Sequence, residues 1–244
     1  RIKRAIVSNP FSREREVVDR ELAGVTEDRP TDDEVLEKLL SRLSSLLSDI
    51  QKKRSSAKKS LSTEDEQLFK YGVLFDLFHS YRPEFGSLIN AQIAKGDESC
   101  RAPFAKDILH ELTTAGFSEQ DSLRILALFF QMRRAYYFIQ ESLFGHCPCM
   151  VSLRESLWNT IFTHSIHLYD EHLWNRMEDF STMLLGDTGT GKGAAAAAIG
   201  QSGYIPFDEK KGAFAESFTK SFTALNLSQF SEALIESELF GHRK

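Results

Sequence analysis

Apolar positions recur at helical spacing along most of the first 143 residues, and the pattern changes character only near residue 183. Val35, Leu36, Leu39, Leu40, Leu43, Leu46, Leu47 and Ile50 fall on one face, the repeat of an amphipathic helix. Thr31 and Glu34, three residues apart just ahead of them, form a capping-box start after Pro30. The stripe fits a core face or a short coiled-coil seam, and its extent of about two heptads favours the core face. Thr63 and Glu66 repeat the capping signature before Leu68, Phe69, Leu74, Phe75, Leu77 and Phe78, and Tyr81-Arg82-Pro83 ends that helix. A short helix is expected over 85–94, another from Pro103 to a stop at Gly116, and a longer one capped by Ser118 and reaching Leu143. Residues 1–30 are polar and mixed in charge. Ile2, Ile6 and Val7 make a brief apolar patch before Asn9-Pro10, and a short helix is expected over 13–22.

At Met183-Leu184-Leu185 the period is lost, and the short apolar run reads as a buried parallel strand. Gly186-Asp187-Thr188-Gly189-Thr190-Gly191-Lys192 follows, then Gly193 and the alanine-rich run Ala194–Ile199, which carries high helix propensity. Strand, glycine-rich loop and helix in that order make a phosphate-binding loop. The glycines turn backbone N–H groups inward, Lys192 brings a cation to the β/γ-phosphates, and the helix N-terminus adds its partial positive charge. The residue after the lysine is ordinarily Ser or Thr, whose hydroxyl holds Mg²⁺; here it is Gly193. Nucleotide binding is therefore better supported than catalysis.

Composition narrows the setting. The 244 residues suffice for one large or two ordinary domains, and a formal net charge of −5 gives no global basic footprint for nucleic acid. The one basic run, Lys52–Lys59, reads as a solvated linker, or less readily as a nucleic-acid contact, since it lacks interleaved aromatics. No apolar run approaches the ~18 residues of a membrane span, and a cytoplasmic setting with no membrane partner is expected. Cys100, Cys147 and Cys149 are too few for a disulfide framework. His146-Cys147-Pro148-Cys149 lacks the second Cys pair of a structural zinc site, and His164, His167 and His172 do not share one helix face. No metal site is expected. The aromatic groups Phe129-Phe130 and Tyr136-Tyr137-Phe138 fit core packing between helices better than a ligand pocket. Starting at Arg1 and stopping at Lys244, the chain is expected to be a fragment at both ends.

From Leu143 onward the chain resembles the AAA+ central domain of the bacterial enhancer-binding activators that work with sigma-54 RNA polymerase. One block runs from Phe144-Gly145 through Met150-Val151-Ser152-Leu153 to the phosphate loop, like the family's opening loop, first helix and Walker A. The other is Phe222-Thr223-Ala224-Leu225-Asn226-Leu227 followed by Leu234-Ile235-Glu236-Ser237-Glu238-Leu239-Phe240-Gly241-His242, similar to the second strand and the helix entering the sigma-contacting loop. The second block is the more specific. Residues where the family carries an acid and larger side chains are here Gly193 and Ala194 to Ala197, and the connection Tyr204–Lys220 reads as an added surface loop.

The resemblance implies ATP and Mg²⁺ as cofactors. Gly186, Asp187, Thr188, Gly189, Thr190, Gly191, Lys192 and Gly193 would hold the triphosphate, and Phe144 and Gly145 would border the adenine. It also implies a ring-forming ATPase that remodels the sigma-54 RNA polymerase holoenzyme through a GAFTGA loop beginning after Lys244. The acid pair of Walker B, the sensors, the arginine fingers and any DNA-binding region would lie beyond these residues, so no catalytic residue is assigned and ATPase activity is expected only of the full-length protein. The expected fold is an α-helical regulatory or interaction region over 1–142 joined to the start of an α/β P-loop NTPase (AAA+) domain over 143–244. The competing expectation is a truncated nucleotide-binding or protein-interaction module with no ATPase cycle.

Overall fold

The computed structural model describes residues 1–25, 31–56, 62–176, 180–226, 229–231, 234–235 and 241. Helices dominate: α1 (Ile2–Val7), α2 (Arg13–Ala23), α3 (Asp32–Ser56), α4 (Thr63–Ser80), α5 (Arg82–Lys95), α6 (Ala105–Thr114), α7 (Glu119–Ser142), α8 (Pro148–Phe162), α9 (Ile166–Leu168, continued by a π-helical turn over Tyr169–Leu173) and α10 (Lys192–Gly200). The expected helical N-terminal region is present, and its caps explain its boundaries. The Thr31 N–H donates to Glu34 Oε2 at 2.7 Å while Thr31 Oγ1 accepts from the Glu34 N–H at 3.3 Å, the reciprocal capping box. Ser118 Oγ accepts from the Asp121 N–H at 3.1 Å at the start of α7. At α4 the cap lies one residue before the expected Thr63. Ser62 accepts from the Asp65 N–H at 3.1 Å and donates to Asp65 Oδ2 at 2.7 Å. Pro83 falls in the first turn of α5, where its missing N–H has no helical partner to lose.

α7 is the axis of the molecule. Leu126, Ala127, Phe130, Ala135 and Ile139 are all but inaccessible, and α5, α6, α8 and α10 pack around them. The core containing them runs from Leu77 to Phe218 and so includes residues on both sides of position 143. A satellite core joins α1 to α4 through Ala5, Val18, Val35, Leu39 and Phe75. The stripe on α3 thus serves as a core face, with Leu46 left outside it. Phe129, Phe130 and Phe138 are core residues too, as the aromatic spacing implied.

The sheet differs from expectation. Among the described residues the named strands are β1 (Phe207–Asp208) and β2 (Ala213–Phe214), an antiparallel hairpin with Phe207 opposite Phe214. This hairpin sits inside the segment Tyr204–Lys220 that reads from sequence as an added surface loop, yet Ile205, Phe214, Ser217 and Phe218 are buried against α7 and its neighbours. Asp208 Oδ1 accepts from the Lys210 and Lys211 N–H groups at 3.1 and 3.2 Å, closing the tip, and the Ala102 N–H donates to Gly212 O at 2.9 Å. The charged residues Asp208, Glu209, Lys210 and Lys211 occupy the tip, while Phe214 and Phe218 are fully buried. Met183–Leu185 is in no ladder, with Met183 and Leu185 81% and 86% exposed. Phe222–Asn226 is likewise in no ladder and mostly exposed. A parallel strand is stable when neighbours cover both its faces, and the described residues supply none beside either segment. The basic run Lys52–Lys59 and the Glu236–His242 block lie largely outside the described residues, as do Pro30 and Leu227.

Candidate nucleotide site

The glycine-rich segment 186–192 turns directly into α10. Gly189 and Gly191 take φ of 83° and 87°, a left-handed conformation that a side chain would strain, and they turn the chain into α10. Gly191 is the N-cap, its carbonyl accepting from the Ala195 N–H at 3.0 Å, so the orphan donors of the first helical turn face the loop. Thr190 Oγ1 donates to Asp187 O at 2.8 Å and holds the bend. Lys192 Nζ folds back over the loop, donating to Gly186 O at 2.8 Å and Asp187 O at 2.6 Å. At Gly193 a side chain would meet nothing within 4 Å, so the missing hydroxyl reflects no steric limit.

The other expected site residues are not brought in. Phe144 is 83% exposed, and no hydrogen bond or ring contact joins Phe144 or Gly145 to residues 186–193 among the described residues. Instead Arg154 Nη2 donates to Leu143 O and Gly145 O at 2.6 and 2.7 Å, fixing that turn to α8. No group of three or more His, Cys, Asp or Glu side chains that could hold a metal occurs among the described residues. Cys147 and Cys149 are exposed, their sulfurs 2.9 Å apart, and His164, His167 and His172 lie on the surface.

What composition and motif alone did not indicate is how α10 is held. Its far end abuts α7, where Arg134 Nη1 and Nη2 donate to Gln201 O and Gly203 O, each at 2.6 Å. Gln131 Nε2 donates to Ser202 O at 2.9 Å and to Tyr169 Oη at 2.8 Å, and Tyr169 Oη–H returns to Gln131 Oε1. Burial lowers the Arg134 guanidinium to about 9, still protonated at neutral pH, and raises the Tyr169 phenol to about 12. The available sequence signal is that Arg134 stands four residues from both Phe130 and Phe138, which places a charge on an apolar face. Ala195 and Ala198 are buried at this contact. Helix α10 packs against α7 and α8 through these small side chains. Ala198→Leu is expected to lower stability by about 1–3 kcal/mol through overpacking, read from the urea midpoint; an unchanged midpoint would show a void at this contact.

No helix among the described residues is long and apolar enough to cross a membrane. No curated protein and no solved structure matches the chain. Residues 166–244 match the model of the sigma-54 interaction domain, a span that begins at α9 and takes in the phosphate loop, α10 and the hairpin. That stretch, less than half of the chain, is similar to the sigma-54 interaction domain.

Proposed function

We propose that the chain is an ATP-binding regulator acting with sigma-54 RNA polymerase in the cytoplasm, and that residues 186–193 form its nucleotide site. The observation that carries this is Lys192 Nζ, held over the loop by two backbone carbonyls at the mouth of α10. Phosphate oxygens offer the same ammonium charged acceptors in place of neutral ones, which makes the exchange favourable. The helix N–H groups then receive the remaining oxygens. MgATP supplies the phosphoanhydride whose hydrolysis drives remodelling in the intact activator. Here Gly193 leaves the metal to the phosphates and water. The domain would form a ring and meet the polymerase through a loop following Lys244, and DNA contact would fall to a region outside residues 1–244.

Gly193 favours a second reading, a module that binds nucleotide and partners without turnover. Calorimetric titration with ATP and Mg²⁺ tests the shared step. Saturable binding is expected, weakened about tenfold or more by Lys192→Ala. Absence of binding in a chain whose helical circular dichroism is intact would overturn the nucleotide site. Supplying Mg²⁺ or EDTA with the ATP separates the two readings: hydrolysis by the full-length protein in Mg²⁺ selects the activator, and tight binding with no turnover selects the module.

A further inference from the structure

Cys147 and Cys149 stand at the start of α8, outside the segment 166–244 that carries the phosphate loop. Both are free and exposed, and their sulfurs are 2.9 Å apart, close enough for one thiol to donate to the other. The chain sets this approach locally. Cys147 is the N-cap of α8, with φ −68° and ψ 154°, so it is extended where Cys149 is already helical, and between them Pro148 has a φ fixed by its ring. The Cys147 carbonyl accepts from the Met150 and Val151 N–H groups at 3.0 and 3.2 Å, which holds the cap in place. Just before it, the Leu143 and Gly145 carbonyls are tied to α8 by Arg154 Nη2. The pair is therefore presented to solvent on a turn anchored from both sides.

The two thiols are not equivalent. The hydrogen bond with Cys149, and after it the Met150 N–H in the first turn of α8, hold the Cys147 thiol below its ordinary range, while the same sulfur–sulfur bond raises that of Cys149. The shared proton thus rests on Cys149. Cys100, the remaining cysteine, is half-buried against the core, where a thiol is a poor nucleophile. A structural metal would be short of ligands at the pair, since no group of three or more His, Cys, Asp or Glu side chains that could hold one occurs among the described residues. Two accessible sulfurs in contact are placed instead to form a bond with each other.

We propose that Cys147 and Cys149 are a reversible dithiol–disulfide site that reacts with low-molecular-weight disulfides, Cys147 being the attacking thiol. With oxidised glutathione, the Cys147 thiolate attacks one sulfur; the Cys147–glutathione S–S bond forms, the glutathione S–S bond breaks, and one glutathione leaves as thiolate. Cys149 gives its proton to that thiolate and attacks the Cys147 sulfur. The Cys147–Cys149 bond forms, and the second glutathione leaves and takes from solvent the proton that Cys147 lost on ionising. The protein thiols lose two electrons and two protons, and the disulfide gains them. Because the second step joins groups already in contact, the mixed disulfide does not accumulate.

The test incubates the whole chain with excess oxidised glutathione, quenches it with acid, labels it with iodoacetamide in denaturant and locates the labels by mass spectrometry. The untreated chain should carry a label at each of its three cysteines. The treated chain should carry one at Cys100 alone, with two hydrogens lost and no glutathione attached, and reduced glutathione should restore the others. Cys149→Ser, whose hydroxyl still donates to Cys147, should stop with glutathione on Cys147. Cys147→Ser should acquire glutathione about fivefold more slowly than Cys149→Ser, and urea should abolish the difference because the folded turn creates it. Labels persisting at Cys147 and Cys149 after treatment, a stable glutathione adduct on the parent chain, chains cross-linked in pairs, or equal rates in the two folded variants would each overturn the proposal.

Discussion

Phe214→Ala is expected to destabilise the protein by about 3–5 kcal/mol in urea titration, the range for emptying a fully buried aromatic site. Phe214 has no accessible surface. Its ring stacks on Phe130 of α7 with centroids 4.0 Å apart and meets Phe207 edge-on at 5.2 Å. The side chain therefore lies between the hairpin and the central helix, and truncation leaves a cavity that two packed aromatics can close only in part. The surface-loop reading of Tyr204–Lys220 predicts a change within about 0.5 kcal/mol instead. The two expectations are far enough apart for one equilibrium unfolding curve to decide between them.

Arg134→Met should cost about 2–4 kcal/mol, and its direction depends on which of two opposed effects is larger. Removing a buried guanidinium relieves a desolvation penalty, since no carboxylate pairs with Arg134 among the described residues. Against that, two charge-assisted hydrogen bonds at 2.6 Å are lost, and the carbonyls of Gln201 and Gly203 lose their donors. The guanidinium also lies 4.6 Å from the Phe130 ring centroid and 5.6 Å from that of Phe218, contacts a thioether replaces only in part. The bonds and stacking outweigh the relief. Amide hydrogen exchange near Ser202 should accelerate in the variant, and unchanged protection with unchanged stability would show that Arg134 is only tolerated. Its neighbour Arg133, with a single carbonyl partner, should respond in the opposite sense, so the adjacent pair is an internal control.

Local rules carried the sequence a long way. Thr31 with Glu34, and Ser118 before Asp121, mark helix starts through contacts spanning three residues, and the apolar period then fixes the buried face. The turn over 186–192 was legible for the same reason: Gly189 and Gly191 are needed where the chain turns left-handed, and Lys192 needs only carbonyls five and six residues away. The hairpin was not legible. Two-residue strands leave no period, and the burial of Phe214 and Phe218 is decided by the face of α7, some eighty residues earlier. Met183–Leu185 misled because an apolar triplet describes a strand only when partners lie alongside it. Phe144 and Gly145 entered through resemblance alone, and nothing in their own chemistry ties them to the loop.

The grip of Gln131 and Arg134 on the end of α10 makes that helix a strut. Nine residues at about 1.5 Å each give a rod near 13 Å long, with the phosphate loop at one tip and α7 clamped to the other. Built chiefly of alanine, the rod has few long side chains that could repack to absorb a displacement. A displacement of the loop therefore has a short, stiff path to α7 through the bonds at Gln201, Ser202 and Gly203.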